Sequence, residues 1–518
     1  LAKTEPSQVN DVDRPPQEES NVRLIIGALM LAMLLAALDQ TIVSTALPTI
    51  AGDLGGINHL SWVVTAYLIT STITTPLWGK LGDMYGRKKL FQTSIVIFLV
   101  GSALSGISGN MTQLIAFRAL QGIGAGGLMT GAQAIIGDIV SPRQRGRYQG
   151  LFGAVFGLAS VIGPLLGGYF TDSLSWRWVF YVNLPIGIAA LVVIAVVLKL
   201  PVRVSPHRVD YLGTALMAAS ITSLILVTTW GGTTYSWSSP TIIGLTIFGV
   251  VTLVAFALVE RKATEPLISP AMFKVPSVAV LSAMGFIVGF GMFGSIVYLP
   301  TFLQTVFNSS PTKSGLQLLP LMAGVLITSL LTGQLISKFG KYKIFPILGT
   351  ALMTIAMYLL STLTASTSIV ILSIYSLILG LGLGAVMQVL VIAVQNAVPY
   401  EMLGVATSSA TFFRSIGGSF GVAIFGAIFT SRLTHNMAIY LPKSSAGSFS
   451  SSSLALSPSA LAKLPPAIHA GFVQAFAHSL DTVFLIGTPI TLVALLLAFL
   501  IKEIPLRNSI SKTPAIVE

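Results

Sequence analysis

The chain has 518 residues, of which 53% are hydrophobic and only 9% charged, with 49 glycines, no cysteine and a mean hydropathy of +0.85. An average soluble domain is roughly 25% charged, so a soluble globular protein, a disordered chain and a disulfide-stapled secreted domain are all excluded. Without cysteine there is no thiolate metal site and no cysteine nucleophile, and the formal net charge of +12 has to be read from where the cations fall.

At roughly 20 apolar residues per span, fourteen segments follow one another, at about 24–46, 61–79, 90–108, 113–137, 148–170, 177–198, 211–230, 241–259, 277–300, 315–336, 344–363, 368–396, 405–430 and 481–501. The runs are continuous rather than alternating, which favours helices over a β-barrel. The expected fold class is therefore all-α integral membrane. The polar tail 1–23 precedes a first segment that is too long for a signal-peptide core and has no small-residue cleavage site after it, so it is read as a retained helix. Placing this tail in the cytoplasm puts 22 Lys/Arg inside and five outside, leaving Arg118 and Arg414 within spans. That asymmetry obeys the positive-inside rule. It accounts for the basic balance without nucleic acid and puts both termini in the cytoplasm.

Two connections interrupt the short loops: polar stretches at 200–210 and 260–276. A third, 431–480, is expected to be a long extracellular loop, serine-rich at 444–459 and ending in a short amphipathic helix at 467–478. The loop after the second span, Gly79-Lys-Leu-Gly82-Asp83-Met-Tyr-Gly86-Arg87-Lys88-Lys89, is echoed by Gly333-Gln-Leu-Ile-Ser337-Lys-Phe-Gly340-Lys341-Tyr-Lys343, offset by 254 residues. Parallel repeats of this kind occur in secondary transporters; a chance likeness of two Gly/Lys turns is the alternative. The repeat divides the chain into a six-helix bundle at 24–200, inserted helices seven and eight with their linkers at 201–276, a second six-helix bundle at 277–501 and a tail at 502–518.

Asp39 is the only carboxylate deep inside a span, where a charge costs about 2.5–3.5 kcal/mol on insertion scales. It lies 15 residues past Leu24, ~22 Å in and ~8 Å from the far face of a ~30 Å core. Arg118 lies five residues past Gln113 on an antiparallel span, also ~8 Å from that face. The matched depths allow a direct or water-bridged ion pair. A nearby Arg keeps an Asp ionised while desolvation favours its neutral form, and a transporter can load and release a proton on that competition. A static structural pair is the alternative. Arg414 falls ~14 Å into its span, facing either a cavity or helix-end carbonyls.

Several stretches resemble the major facilitator superfamily, and within it the fourteen-helix drug:proton antiporters of the EmrB/QacA type. The Gly79–Lys89 loop looks like the signature between helices two and three. Leu38-Asp39-Gln40-Thr41 through Pro48 resembles the helix-one motif. Arg118-Ala-Leu-Gln121-Gly122 resembles the proton-coupling motif, and Gly163-Pro164-Leu-Leu-Gly167-Gly168 the antiporter motif that marks exporters. Trp176-Arg177-Trp178 through Asn183-Leu-Pro185 is also similar. Met84 and Ala159 depart from the usual pattern.

The resemblance implies two six-helix bundles plus two inserted helices, with Asp39 and Arg118 coupling protons. It implies that Gly79, Gly82, Asp83, Gly86, Arg87 and Lys88 form a gating loop that latches the halves, and the partial positive charge at the start of the helix that begins near Gly404 offers Asp83 a place to dock. A solvated loop charge is the alternative for Asp83, and plain packing for the glycines of the fifth span. The expected cavity between the halves draws on Gln40, Thr41, Trp62, Tyr67, Gln133, Tyr298, Gln304, Gln388, Phe412, Phe413 and Arg414, with lipid-facing positions as the alternative for the aromatics.

Histidines 59, 207, 435, 469 and 478 show no metal-ligand spacing, so no metal is expected. No P-loop is present, which points to an ion gradient rather than ATP as the energy source, and the resemblance implies that the ion is the proton. No nucleophile–base constellation suggests an enzyme. The expected activity is proton-coupled export of amphipathic drugs, hydrophobic or monovalent cationic, across the plasma membrane by a monomer bathed in lipid. Export of one endogenous metabolite, lipid or peptide is the second reading, and a non-transporting scaffold or sensor the third.

Overall fold

The computed structural model describes residues 19–54, 60–200, 210–232, 234–263, 265–309, 311–441 and 465–506. Most of the N-terminal tail, the polar stretch with His207, the residue His59, the serine-rich 444–459 and the chain beyond 506 lie outside these residues. The described residues form α1 (Glu19–Leu54), α2 (Leu60–Tyr85), α3 (Arg87–Gly106), α4 (Met111–Ile139), α5 (Pro142–Ser173), a single turn α6 (Trp178–Tyr181), α7 (Asn183–Val197), α8 (Tyr211–Trp230) and α9 (Pro240–Glu260). They continue with α10 (Pro276–Val306), the short α11 (Pro311–Gln317), α12 (Leu319–Phe339), α13 (Ile344–Leu360), α14 (Ile369–Ala397), α15 (Leu403–Tyr440) and α16 (Pro466–Phe499). Of the apolar segments read from the sequence, 177–198 is divided between α6 and α7 and 315–336 runs over α11 and α12, while each of the others falls on one helix. Among the described residues ten helices are long and apolar enough to cross a membrane by length and composition.

Several helix boundaries follow local chemistry. Side-chain oxygens of Asn110, Asp210, Ser239 and Ser368 accept from backbone N–H groups in the first turns of α4, α8, α9 and α14, satisfying donors that a helix start leaves open. The two echoed loops also share a conformation: Gly86 has φ 98° and Gly340 φ 71°, a region that disfavours any residue with a Cβ. The repeated glycine thus turns the chain at equivalent points, between α2 and α3 and between α12 and α13.

The first bundle packs α1 on α5 and α7, α2 on α4, and α3 on α4 and α7; the second packs α10 on α15 and α16, α14 on α12 and α13, and α16 on α13 and α15. Helices α8 and α9 pair with each other, and α8 also lies on α2 and α15. A satellite core fixes them there: Met217, Ile221 and Ile225 of α8 and Phe256 of α9 cluster with Ile69 of α2 and Phe412 of α15. Leu267 and Ile268 complete this cluster, so the connection read as a polar stretch at 260–276 buries apolar side chains. Its turn is held by Glu260, which accepts from the backbone N–H of Leu267 at 3.2 Å and of Ile268 at 3.3 Å.

Two seams join the bundles. Along the α5–α12 seam, backbones approach closely: a Cβ on Gly146 would overlap Gly333 O, one on Gly150 would overlap Ser329 O, and Gly157 faces Met322. Further along α5, Pro164 faces Gly315 of α11. The other seam, α2–α15, is tight only at the end that carries the Gly79–Lys89 loop.

The long loop expected at 431–480 is shorter than that. Helix α15 runs on to Tyr440, and the amphipathic helix expected at 467–478 is the start of α16, a single helix of 34 residues. Nothing between His478 and Asp481 breaks the helical pattern. Phe472 and Phe476 pack against the second core, with Phe476 edge-on to Phe429 of α15 at 5.0 Å, so burial extends both helices past the apolar segments.

The α5–α12 seam yields a test. Gly150→Ala forces a methyl onto a backbone oxygen, an overpacking cost of about 1–3 kcal/mol, and should lower the apparent melting temperature of the detergent-purified protein. Gly157→Ala, whose new Cβ would lie 3.7 Å from Met322 O, should leave it unchanged. Equal melting behaviour of the two variants would contradict close backbone packing at this seam.

Candidate functional site

Asp39 sits in the apolar run of α1 with 0% of its surface exposed, and Arg118 of α4 is 1% exposed. Arg118 Nη1 donates to Asp39 Oδ2 at 2.6 Å and to Gln121 Oε1 at 2.7 Å. Gln121, one turn further along α4, donates through Nε2 to the other carboxylate oxygen at 2.8 Å. Asn183, at the start of α7, reaches that same oxygen at 3.3 Å and Ser102 Oγ of α3 at 3.0 Å. Arg118 Nε donates to Val63 O at 3.2 Å, and its guanidinium lies over the Tyr67 ring at 4.3 Å. Both carboxylate oxygens therefore accept charge-assisted or neutral hydrogen bonds, the arrangement that makes a buried charge tolerable. The depth arithmetic brought Asp39 and Arg118 together; Asn183 and Ser102 it did not identify. Asn183 belongs to the Trp176–Pro185 stretch, which was the available signal.

The Gly163–Gly168 run lies on α5, which continues unbroken through Pro164. Gly163 and Gly167 face α1, where a Cβ would overlap Thr41 and Thr45, whereas nothing lies within 4 Å of a Cβ on Gly168. Thr41 Oγ1 donates across to Ala159 O at 3.0 Å. The glycines thus seat the helix that carries Asp39 against the helix that forms the tight seam.

At the loop end of α2, Asp83 accepts from the backbone N–H of Gly404 at 3.1 Å and of Val405 at 2.9 Å. These are open donors of the first turn of α15, whose end carries partial positive charge. Arg87 Nη2 donates to Asp83 at 2.7 Å, and its Nη1 donates to Asp138 of α4 at 2.6 Å. Tyr400 OH, just before α15, also donates to Asp138 at 2.6 Å. Asp138 and Tyr400 were not identified from sequence, because Asp138 closes α4 just past the apolar segment and Tyr400 falls in the short connection before α15. A Cβ on Gly79 would overlap Ser408 and one on Gly404 would overlap Asp83, so the contact requires both glycines. Gly82 packs on the Arg87 stem, and Gly86 supplies the turn.

Lys88 does not join this contact: its Nζ donates to Ala195 O of α7 at 2.8 Å, an end-of-helix carbonyl that suits a cation. Lys80 instead pairs with Glu265, in the connection after α9. The echoed loop makes the matching contact on the other seam, where Ser337 Oγ donates to Arg143 O at 2.9 Å and Arg143 Nε donates to Ser337 O at 2.9 Å. On the opposite face, Trp176 Nε1 donates to Asp53 at 2.8 Å, and this bond, with Arg177 beside it, holds the Asp53 carboxyl below its ordinary range.

Beyond the Asp83 contact, α2 and α15 part around a cavity of about 420 Å³, walled by Gln40 of α1, Thr72 of α2, Thr228 of α8, Tyr298 of α10 and Ser415 and Ser419 of α15. Of the residues expected on a substrate cavity, only Gln40 and Tyr298 line it. Thr41 is spent on α5, and Tyr67 on Arg118. Trp62 meets Trp230 of α8 edge-on at 5.6 Å. Gln133 is buried where α4 meets α14 and α15, accepting from Gln395 Nε2 through its backbone oxygen at 3.2 Å. Gln304 donates to Ser314 Oγ at 3.1 Å. Gln388 packs toward Gly153 on the tight seam. Phe412 and Phe413 meet edge-on and face the α8–α9 core rather than the cavity. Arg414 makes no hydrogen bond or ion pair with a described residue. Among the described residues no group of three or more His, Asp or Glu could hold a metal.

The sequence profile of the family described as Major Facilitator Superfamily matches residues 29–422. An uncharacterized MFS-type transporter of Mycobacterium tuberculosis is 45% identical, covering 94% of this chain and 70% of that protein. The multidrug transporter protein MdtP of Bacillus subtilis is 40% identical, covering 95% of each chain. Among solved structures, the human organic anion transporter MFSD10 superposes with a TM-score of 0.62 at 16% identity, covering 92% of this chain and 100% of that one; at that identity the likeness concerns the fold.

The Asp83 contact can be tested through the absence of native cysteine. A charge at a helix end contributes about 0.3–1 kcal/mol when exposed and up to ~2 when partly buried, and ~1.4 kcal/mol is a tenfold change in a two-state ratio. Asp83→Asn should therefore lengthen or broaden the distance distribution between spin labels on cysteines placed at the exposed Lys89 and Lys341. A distribution identical to that of the parent would reduce Asp83 to an ordinary loop charge.

Proposed function

This chain belongs to the major facilitator superfamily, and from that premise we propose that it is a proton-coupled efflux antiporter that expels amphipathic drugs, hydrophobic or monovalent cationic, by alternating access. The observation that carries this reading is the fully buried Asp39, hydrogen-bonded by Arg118, Gln121 and Asn183. The multidrug function named for the Bacillus subtilis relative, at 40% identity over nearly the whole chain, supports the substrate class. Energy comes from the proton gradient, the protein sits in the plasma membrane with both termini cytoplasmic, and it works as a monomer.

The chemistry follows from the hydrogen-bond inventory. As a carboxylate, Asp39 is acceptor-only, and every side chain around it presents a donor. A proton arriving on either oxygen turns that acceptor into a donor facing Arg118 or Gln121. The bond there is lost, and the guanidinium is left without its counter-charge. The network must then rearrange, which moves α4 and α7 relative to α1. Seated against α1 by Gly163 and Gly167, α5 carries that movement to the seam between the bundles. Loss of the proton restores the ion pair. The Asp83 contact favours the state closed at the basic loops, so drug release and proton uptake occur at the other face.

Proteoliposomes with an imposed proton gradient test this reading. The parent should expel a fluorescent amphipathic dye and lose that activity when a protonophore collapses the gradient. Asp39→Asn should insert but show no gradient-driven efflux. Arg118→Ala should also lose coupling, whereas Arg118→Lys keeps part of it because a point cation still faces the carboxylate without the planar fork. Gradient-driven efflux by Asp39→Asn with an unaltered pH profile would sink the assignment.

A further inference from the structure

Resting on the efflux reading above, we propose that inserted helix α8 forms one wall of the substrate cavity, and that this cavity takes uncharged amphipathic molecules in preference to organic cations of the same size. The 420 Å³ cavity has a drug-sized volume. Its wall comes from three parts of the chain: Gln40 and Thr72 of the first bundle, Ser419 and Tyr298 of the second, and Ile225 and Thr228 of α8. The inserted pair is therefore more than an appendage, since the α2–α15 seam would lack one side without it. The satellite core of Met217, Ile221 and Phe256 with Ile69 and Phe412 holds α8 in that position.

The chemistry of the wall sets the substrate class. Among the described residues no Asp, Glu, Lys or Arg lines the cavity; the polar groups are hydroxyls and one amide. The carboxylate nearest in sequence, Asp39 beside Gln40, is fully buried and already bonded on both oxygens. The charge nearest in sequence on α15, Arg414 beside Ser415, is a cation. An organic cation entering this space gives up hydration with no counter-charge to replace it. The rings of Tyr298 and Phe429 lie 5.8 Å apart, tilted by 43° against each other, so part of their faces is already occupied. An uncharged molecule surrenders less water, buries its apolar part against Ile225, Val422 and Leu68, and finds donors and acceptors in the hydroxyls and in Gln40.

A matched pair of probes separates the classes: triphenylphosphine oxide, neutral with one strong acceptor, and methyltriphenylphosphonium, nearly the same shape with a unit positive charge. Binding of each to the purified full chain, without a gradient, is read by tryptophan fluorescence and calorimetry. The oxide should bind at least tenfold more tightly. Thr228→Phe on α8 or Ser419→Phe on α15 should weaken the oxide at least tenfold with an unchanged melting temperature. The two variants fill the cavity from opposite walls, and the comparison of the two probes on the parent needs neither. Equal or tighter binding of the phosphonium, no oxide binding at millimolar concentration, or unaltered oxide affinity in a folded filled variant would overturn the proposal. Proton-linked movement in proteoliposomes is measured apart. Oxide binding without it would defeat the antiport reading and leave the site standing, whereas proton-linked phosphonium efflux without oxide binding would do the reverse.

Discussion

A carboxylate removed from water must be surrounded by donors, and much of the first bundle is arranged around that requirement. Asp39 draws Arg118 and Gln121 from α4 and Asn183 from α7, so one side chain on α1 fixes the rotation of two neighbouring helices. Removing a single partner from such a buried pair costs about 3–5 kcal/mol, comparable with the whole stability of a small domain. The glycines of α5 serve the same site at one remove. By letting α5 approach Thr41 and Thr45, they hold α1 at the height where Asp39 meets its partners.

The two bundles repeat one solution at the basic end and vary its chemistry. In each, a helix ends in a Gly-containing loop with a positive-φ glycine and docks on the first turn of a helix from the other bundle. On one seam the docking group is the carboxylate of Asp83, braced by Arg87, Asp138 and Tyr400. On the other, the equivalent residue is the uncharged Ser337, whose hydroxyl donates to the Arg143 backbone oxygen and whose carbonyl accepts from the Arg143 guanidinium. A charge–dipole contact depends on ionisation and salt; a zipper of glycines against backbone oxygens does not. The α5–α12 seam is tight from Gly146 to Gly153, while α2 and α15 part beyond Asp83 around the cavity.

Much of this was legible in the sequence, for reasons that also mark where legibility stops. Helical rise alone placed Asp39 and Arg118 at one depth, because a lone charge in an apolar run has few places to go. The Gly79 and Gly333 loops announced the repeat because a positive φ needs glycine. The cavity was read less well: Phe412, Phe413, Trp62 and Gln304 are engaged elsewhere, and only Gln40 and Tyr298 reach it. A helix that is apolar all round gives no amphipathic contrast to show which side meets protein and which meets lipid. The same uniformity hid α8, whose Thr228 is an ordinary threonine until the tertiary fold places it on the cavity wall. Serine content at 444–459 suggested a long loop, but burial of Phe472 and Phe476 against α15 continued both helices into it.

That continuation has a practical consequence. With 38 residues in α15 and 34 in α16, the two helices are ~57 Å and ~51 Å long at ~1.5 Å per residue, against a hydrocarbon layer of ~30 Å. Each helix is therefore longer than that layer, and past their apolar stretches the two continue together as a paired stalk. It is pinned by Asn436 donating to Ser479 at 3.0 Å, by Tyr440 stacked on His478 at 5.2 Å and by Gly471 fitted against the Tyr440 backbone. A stalk rooted in the second bundle and braced along its length moves as that bundle moves. An antibody fragment raised to it would be a rigid pointer, adding mass for imaging and reporting the tilt of one bundle against the other from outside the membrane.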